Sequence, residues 1–286
     1  MNSGLQGFVG AWAPEPATVR DPMPAAPAAA ASAVLDEPAP VARAGDPLPP
    51  LWHWFYFLHW PRRSELGEDG HQEDGRLLPP IPDRHRMFAG GRLTVDAPLV
   101  LGEPAECVSS LAAVEPKRGG SGDLLFVTER RELRQHGRRC AVEEQDIVYR
   151  SGRAPAPGVR PCGPEEAPAA NGRWSLALHT DPVLLFQVSA LTANPHRIHY
   201  DLPYTVEEAN HPGLLVHGPL LALLMLDVVR RNAPERAVRS YSYRLRRPVY
   251  AGEQVMACGE PTPEGVDLHI RTAREDRHAT ARAVLD

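Results

Sequence analysis

The sequence predicts an α+β fold in which an antiparallel sheet curls around a buried helix, and in which that unit occurs twice. Three observations carry this expectation. First, GPLLALLMLDVVRRN (218–232) is apolar on nearly every side when wound as a helix. Such a helix must be buried on nearly every side, and a sheet wrapped round it is the economical cover. Second, strand-like runs at 91–100, 105–114, 124–133 and 141–149 precede it, and runs at 238–249, 253–258, 266–272 and 279–285 follow it; each alternates or is rich in β-branched residues. Third, the two sets align. DAPLVLGEPAECVSSL (96–111) matches RRPVYAGEQVMACGEP (246–261), with Pro98 against Pro248 and Gly102 against Gly252, and two further strand-like runs follow in each. This is the mark of a tandem repeat.

The remaining elements follow in chain order. Residues 1–50 are rich in Pro and Ala and by composition alone resemble a tail, but the strong helix formers before Leu35 predict a short helix over 24–35. The run LPPLWHWFYFLHW (48–60) places three Trp in nine residues, so it is expected to be buried or to line a pocket. Residues 62–90 are polar and read as an excursion. KRGGSGD (117–123) is a Gly-rich hairpin connection. SGRAPAPGVRPCGPEEAPAAN (151–171) has the composition of a linker, which divides the chain into an N-terminal domain (1–150), the linker, and a C-terminal domain (172–286). A strand near Trp174–His179, the apolar run Leu184–Leu191 and a polar loop then lead to the helix at about 216–231. Pro219 suits its first turn, where a missing N–H costs nothing, and Arg230 and Arg231 suit its C-terminal end.

Composition narrows the function classes. The 286 residues carry a formal charge of −5, which argues against bulk nucleic-acid binding. The four cysteines form no CxxC pair, against a disulfide framework, an iron–sulfur site or a zinc ribbon. The longest apolar run, Leu214–Val229, is broken by His217, Pro219 and Asp227 and falls short of a membrane span. The start of the chain lacks the basic-then-apolar order of a signal peptide, so a cytoplasmic location is expected.

Two segments carry chemistry. The helix begins His217-Gly218-Pro219. Its first N–H groups have no partner inside the helix, and a glycine lets a ligand carbonyl approach closely, so Gly218 is a candidate oxyanion-hole donor. The loop SALTANPHRIHYD (189–201) holds Asn194, His196, His199 and Asp201. It admits three readings: a metal site on His196 and His199 with His211 or His217, a set of loop-capping polar groups, or acid–base catalysis by His199. The residues alone leave all three open.

SALTANPHRIHYD followed by PGLLVHGPLLALLML (212–226) resembles the MaoC-like hydratase/dehydratase family with its double hot-dog fold. The likeness extends through LPPLWHWFYF, LLPPIPDRHRMFAGGRL (77–93) and GDLLFVTERRE (122–132), and looks most like the mesaconyl-C4-CoA and itaconyl-CoA hydratases, with type 2 hydroxyacyl-thioester dehydratases nearby. The signature of (R)-specific enoyl-CoA hydratases is an Asp with a His five residues later, and the resemblance implies that Asn replaces the Asp in this subgroup. Asn194 and His199 hold this spacing here, which leaves His199 as the main proton carrier. The resemblance implies two antiparallel sheets each wrapping a helix, with the second repeat catalytic and the first a degenerate hot-dog that houses part of the substrate. It also implies reversible syn hydration of an α,β-unsaturated acyl-CoA, with a C5 dicarboxylyl-CoA (itaconyl-CoA or mesaconyl-C4-CoA, giving citramalyl-CoA) as the substrate. Asn194, His199 and Gly218 are then the catalytic groups, no metal or redox cofactor is needed, and a homodimer is expected. His217 and Arg197 are expected to bind substrate. Arg197, Arg244, Arg246 and Arg247 are candidates for the CoA phosphates, and Arg84, Arg86 and Arg92 for a free substrate carboxylate. The competing functions are a 3-hydroxyacyl-thioester dehydratase of fatty-acid synthesis, a hot-dog thioesterase and a non-catalytic acyl-thioester binding protein.

Overall fold

The computed structural model describes residues 5–75, 77–119, 122–152 and 158–286. Chain order is α1 (Leu5–Val9), β1 (Ala17–Asp21), α2 (Ala25–Val34), a 3₁₀ turn (Trp52–Phe55), β2 (Arg84–Val95), β3 (Ala105–Gly119), β4 (Gly122–Gln135), β5 (Arg138–Ser151), β6 (Trp174–His179), α3 (Pro182–Leu191), α4 (Leu202–Glu207), α5 (Gly218–Asn232), β7 (Val238–Leu245), β8 (Gln254–Thr262), β9 (Gly265–Thr272) and β10 (Glu275–Leu285), with short 3₁₀ turns at Arg63–Glu65 and Arg197–His199. Residues 120 and 121 of the expected hairpin turn and 153–157 of the expected linker lie outside the described residues.

The strand order is β1-β3-β4-β5-β2-β7-β10-β9-β8-β6. It is a palindrome: β1 to β5 in the first half occupy the places that β6 to β10 occupy in the second. The double hot-dog is therefore present, but its two sheets are one. Antiparallel pairing of β2 with β7, from Gly90↔Arg244 to Thr94↔Ser240, joins them. Strand β2 is squeezed at this seam. A Cβ on Gly90 would lie 2.4 Å from the Tyr243 carbonyl oxygen, and one on Gly91 would lie 2.6 Å from that of Glu144; only glycine fits between the neighbouring strands.

The repeat also holds in detail. Gly102 and Gly252 both have positive φ, 83° and 91°. The isolated bridges Pro47↔Val100 and Leu215↔Tyr250 fall at matching places. Helices α2 and α3 each end in a Schellman motif: Glu37 N–H donates to Ser32 O (2.9 Å) and Asn194 N–H to Ser189 O (2.9 Å), around left-handed residues Asp36 and Ala193. The halves part company at the central helix. In the second half α5 buries every residue from Leu220 to Val229. In the first half the same place holds only the turn Trp52–Phe55, so that half is degenerate in its helix.

The aromatic run is buried from Trp52 to Tyr56, and its polar atoms are met. Glu143 accepts from Trp54 Nε1 (2.7 Å) and pairs with His53 Nε2 (2.8 Å). Burial alone would raise the Glu143 carboxyl, but His53, aided by Arg131 and Gln145, holds it at about 2. Trp60 departs from the expectation for this run and is 68% exposed. Beside the turn, a cavity of about 490 Å³ lies between Leu51, Trp52, Leu93 and Ala141 of the first half and Leu223 and Leu226 of α5.

Two further differences from the sequence pattern have clear causes. Strand β2 begins at Arg84 rather than at 91, because a bulge between Phe88 and Gly90 interrupts the alternation. The run Leu184–Leu191, to which the pattern assigned no helix, forms α3. Asp181 caps that helix by accepting from the Leu184 N–H (2.8 Å), and Pro182 occupies its first turn. No helix among the described residues is long and apolar enough to cross a membrane.

Candidate active site

The sequence brings the site together by fixing the two sides of a crevice at the start of α5. On one side, Ala193 turns the chain out of α3, and Asn194 Oδ1 then accepts the His196 N–H (3.1 Å). The 3₁₀ turn Arg197–His199 follows, and Asp201 caps α4 by accepting from Tyr204 N–H (3.2 Å). This packing directs His199 inward, where it is 7% exposed. On the other side, His217 occupies the N-cap position of α5, with no side-chain bond to the helix, and is itself buried. Its ring stacks on that of His199, with centroids 3.6 Å apart and planes 16° from parallel. His199 therefore sits against the residue that immediately precedes Gly218.

Hydrogen bonds fix the His199 tautomer. His199 Nδ1 lies 2.8 Å from the Leu215 carbonyl oxygen. A carbonyl only accepts, so Nδ1 carries the proton and Nε2 presents a lone pair. Burial, against which the Leu215 contact works in part, lowers the His199 pKa to about 4, so the ring is neutral at neutral pH and able to take a proton. His217 Nε2 meets Ser189 Oγ at 2.9 Å, and its Nδ1 is buried without a partner. At the helix start, Gly218 N–H has no acceptor among the described residues. A Cβ on Gly218 would lie 2.4 Å from Leu245 Cδ1 and 3.6 Å from Phe88 Cδ1, so this glycine also serves close packing.

A third component comes from the first half and was not visible in the sequence. The turn at residues 67–71 presses on the 194–197 loop. Arg197 N–H donates to Asp69 O (2.9 Å) and Arg197 Nη1 donates to Glu68 O (2.9 Å). Gly70, at φ +89°, has no room for a side chain, since a Cβ would fall 2.1 Å from Pro195 O. This contact carries His71 into the site, its ring 4.0 Å from that of His196, which is in turn 5.7 Å from that of His199. Asp69 Oδ2 holds His71 Nδ1 at 2.9 Å. Burial would raise the Asp69 carboxyl, but the hydrogen bonds and charge of His71 keep it well below the usual carboxylate range. Burial first, then His71 and His199, pushes His196 well down. Asp69, His71 and His196 offer donor atoms within 4.8 Å of one another and could hold a metal ion. The metal set weighed from sequence is not the one assembled, because His211 lies beside Tyr250, its Nδ1 3.4 Å from the hydroxyl.

The sequence-selected arginines separate. Arg197 is spent on Asp201 (Nη2–Oδ2 2.8 Å), on Glu68 O and on the Tyr204 ring (4.0 Å), and so serves to fasten the loop. Arg84 donates to the carbonyls of Pro79, Gln72 and Glu73. Arg92 faces outward on Glu144 (2.6 Å) and Asp146 (3.0 Å). Arg247 is exposed and paired with Glu275 at 2.9 Å, Arg246 reaches Thr280, and Arg244 is exposed. Arg86 has no acceptor among the described residues and is half-buried. Asp227, the one acid on α5, binds Arg230 and Arg231. It is nine residues from Gly218, about 13 Å along the helix, and so is far from the crevice.

Comparison with known proteins identifies the family of the chain. A family model described as hydroxyacyl-thioester dehydratase type 2 matches residues 51–251. Mesaconyl-C(4)-CoA hydratase of Chloroflexus aurantiacus is 42% identical over 261 residues, covering 91% of this chain and 92% of that protein. The mitochondrial hydroxyacyl-thioester dehydratase type 2 of Schizosaccharomyces pombe is 23% identical, over 74% of this chain and 77% of its own. A solved MaoC-like dehydratase superposes with a TM-score of 0.69 over 98% of this chain and 99% of that one, at 14% identity, which is likeness of fold alone. The chain belongs to the type 2 hydroxyacyl-thioester dehydratase family and has its MaoC-like double hot-dog fold.

Proposed function

We propose that this enzyme catalyses the reversible syn hydration of an α,β-unsaturated acyl-CoA to the 3-hydroxyacyl-CoA, with a C5 dicarboxylyl-CoA such as mesaconyl-C4-CoA as substrate and citramalyl-CoA as product. The observation that carries this reading is the 3.6 Å stack of His199 on His217, which brings the His199 imidazole against the residue that precedes Gly218 in the chain. The substrate class rests on the 42% identity to the Chloroflexus aurantiacus hydratase.

The chemistry follows from those groups. The thioester oxygen accepts a hydrogen bond from Gly218 N–H at the α5 start. His199 Nε2 takes a proton from a water molecule held with the Asn194 amide, whose NH₂ faces no protein acceptor among the described residues. The water oxygen bonds to the β carbon, the C=C electron pair moves toward the thioester, and the enolate charge builds against Gly218 N–H. The imidazolium then returns its proton to the α carbon on the same face. One oxyanion donor is worth about 3–4 kcal/mol, and the proton transfer about 10²- to 10⁴-fold in rate. No step needs a metal or redox cofactor. A cytoplasmic homodimer is part of the proposal, and light scattering of the purified chain reads its mass.

The test is loss of enoyl absorbance with crotonyl-CoA and mesaconyl-C4-CoA. His199→Ala is expected to lower hydration at least 10²-fold while acyl-CoA still binds. Turnover retained in that variant removes His199 as the base. Tight binding without turnover by the wild-type chain points to a non-catalytic thioester binder instead.

A further inference from the structure

Three arginines near the start of β2 are candidates for a free substrate carboxylate, and the backbone separates them. Residues 84, 86 and 88 lie on one face of β2. The bulge between Phe88 and Gly90 flips the alternation, so Arg92 leaves on the opposite, outer face. Arg84, the first inward residue, is held by the carbonyls of Gln72 and Glu73, the two residues that follow His71. Phe88, the third, lies against Gly218. Arg86 stands between them, about 7 Å along the strand from Phe88. It finds no carboxylate and no other acceptor among the described residues. Its cross-strand partner is Tyr149, whose ring is fully buried and whose hydroxyl has no hydrogen-bond partner. Two directly opposed side chains on one face have Cβ atoms about 5 Å apart. The buried Tyr149 hydroxyl is costly unless something supplies an acceptor, and the half-buried Arg86 beside it carries a charge that no carboxylate among the described residues balances. A carboxylate is the group that fits, because it accepts from both and neutralises the charge.

Resting on the hydratase reading above, we propose that Arg86 and the Tyr149 hydroxyl hold the free carboxylate of a dicarboxylyl-CoA whose thioester lies at Gly218. The pair is a specificity device: the first half of the molecule reads the far end of the acyl group while the second half performs the chemistry. An acyl-CoA without the second carboxylate leaves the buried Tyr149 hydroxyl without an acceptor and the Arg86 charge without a partner.

The experiment compares kcat/KM for mesaconyl-C4-CoA with that for crotonyl-CoA in each protein. Arg86→Gln is expected to lower the ratio about 10- to 100-fold, Tyr149→Phe several-fold, and Arg86→Lys is expected to recover part of the loss. A ratio unchanged in Arg86→Gln overturns the assignment while leaving hydration itself intact. Because Arg86→Gln could fold poorly, a second measurement uses the wild-type chain alone: inhibition by succinyl-CoA and butyryl-CoA, neither of which carries a double bond to hydrate. Inhibition at least tenfold tighter by succinyl-CoA supports the anchor, and equal inhibition overturns it. Failure of the wild-type chain to hydrate either enoyl-CoA counts against the reaction, and the dissociation constants of succinyl-CoA and butyryl-CoA, read by calorimetry without turnover, still decide the anchor.

Discussion

The two halves share one strand plan but differ in what that plan encloses. In the second half ten consecutive helical residues, Leu220–Val229, are buried, and the start of that helix faces the His199 crevice. In the first half the same place holds a four-residue turn, and a cavity of about 490 Å³ opens beside it. The corresponding cap positions differ in the same sense. Where the second half carries Asn194 the first carries Glu37, a carboxyl that burial and the nearby Asp227 raise to about 7, with Arg230 opposing. The difference teaches that one hot-dog unit can lose its helix when a neighbouring copy keeps the sheet intact. The freed half then brings His71 against His196 of the loop that carries His199.

Truncation of α5 tests this contrast most strongly. Leu221 and Leu223 are both buried, but only Leu223 borders the cavity. Leu221→Ala is expected to cost about 2–5 kcal/mol. Leu223→Ala is expected to cost less, because part of its surface already lacks packing partners. Urea unfolding measures both, and equal losses would mean that the cavity is closed in solution.

Acid is expected to separate the halves next. The pKa of buried His199 falls from its ordinary 6.5 to about 4. The unfolded chain therefore binds more protons between those values, so this stabilisation is complete above pH 6.5 and is lost as pH falls toward 4. The shift corresponds to about 3 kcal/mol. In the first half Glu143 is shifted from 4.5 to about 2, and its contribution is lost only as pH falls from 4.5 through 2. Hydrogen exchange near pH 5 should show residues 194–217 opening before β5. The same titration gives kcat/KM an acid limb near pH 4; a limb near 6.5 would mean that His199 is not buried in the working enzyme.

The parts of this organisation that could be read in the sequence are those encoded locally. The apolar α5 and the five-residue Asn194–His199 spacing each lie within a short window, and the Pro98/Pro248 and Gly102/Gly252 alignment is one local pattern met twice. Helix α3 carried a start signal in Asp181-Pro182, but its mostly apolar run, interrupted only at Gln187 and Ser189, shows no helical stripe to go with it. What could not be read depends on contacts between the halves. His71 reaches His196 only because Gly70 lets residues 67–71 press against Pro195, and no spacing in the chain announces that. Arg84, Arg86 and Arg92 look equivalent as letters. One extra residue at the Phe88–Gly90 bulge sends the last of them outward and leaves Arg86 facing the site.

Filling the void tests the contrast from the other side. Ala141 borders the cavity, so Ala141→Leu adds methylenes to empty space and is expected to be neutral or to stabilise by about 1–2 kcal/mol. Ala222 is fully buried, and its carbonyl accepts from the Tyr241 hydroxyl at 3.0 Å. Ala222→Leu overpacks a filled position and is expected to cost about 1–3 kcal/mol. Thermal melts of the two variants should move in opposite directions; a shared loss would show that the first half is as tightly packed as the second.

The smallest expected effect lies at the paired helix ends. Both α2 and α3 leave through a left-handed residue, Asp36 at φ 48° and Ala193 at φ 50°. Aspartate tolerates this conformation better than alanine, and glycine adopts it without steric cost. Ala193→Gly relieves the Cβ contact with the backbone, against which the greater freedom of glycine in the unfolded chain must be set. The balance favours stabilisation by about 0.5–1 kcal/mol, while Asp36→Gly is expected to give less. Because Ala193 directly precedes Asn194, a stabilised cap with unchanged kcat would show that the Schellman geometry alone positions the amide. A stabilised cap with lowered kcat would show instead that the strained alanine turn holds Asn194 against the 194–199 loop.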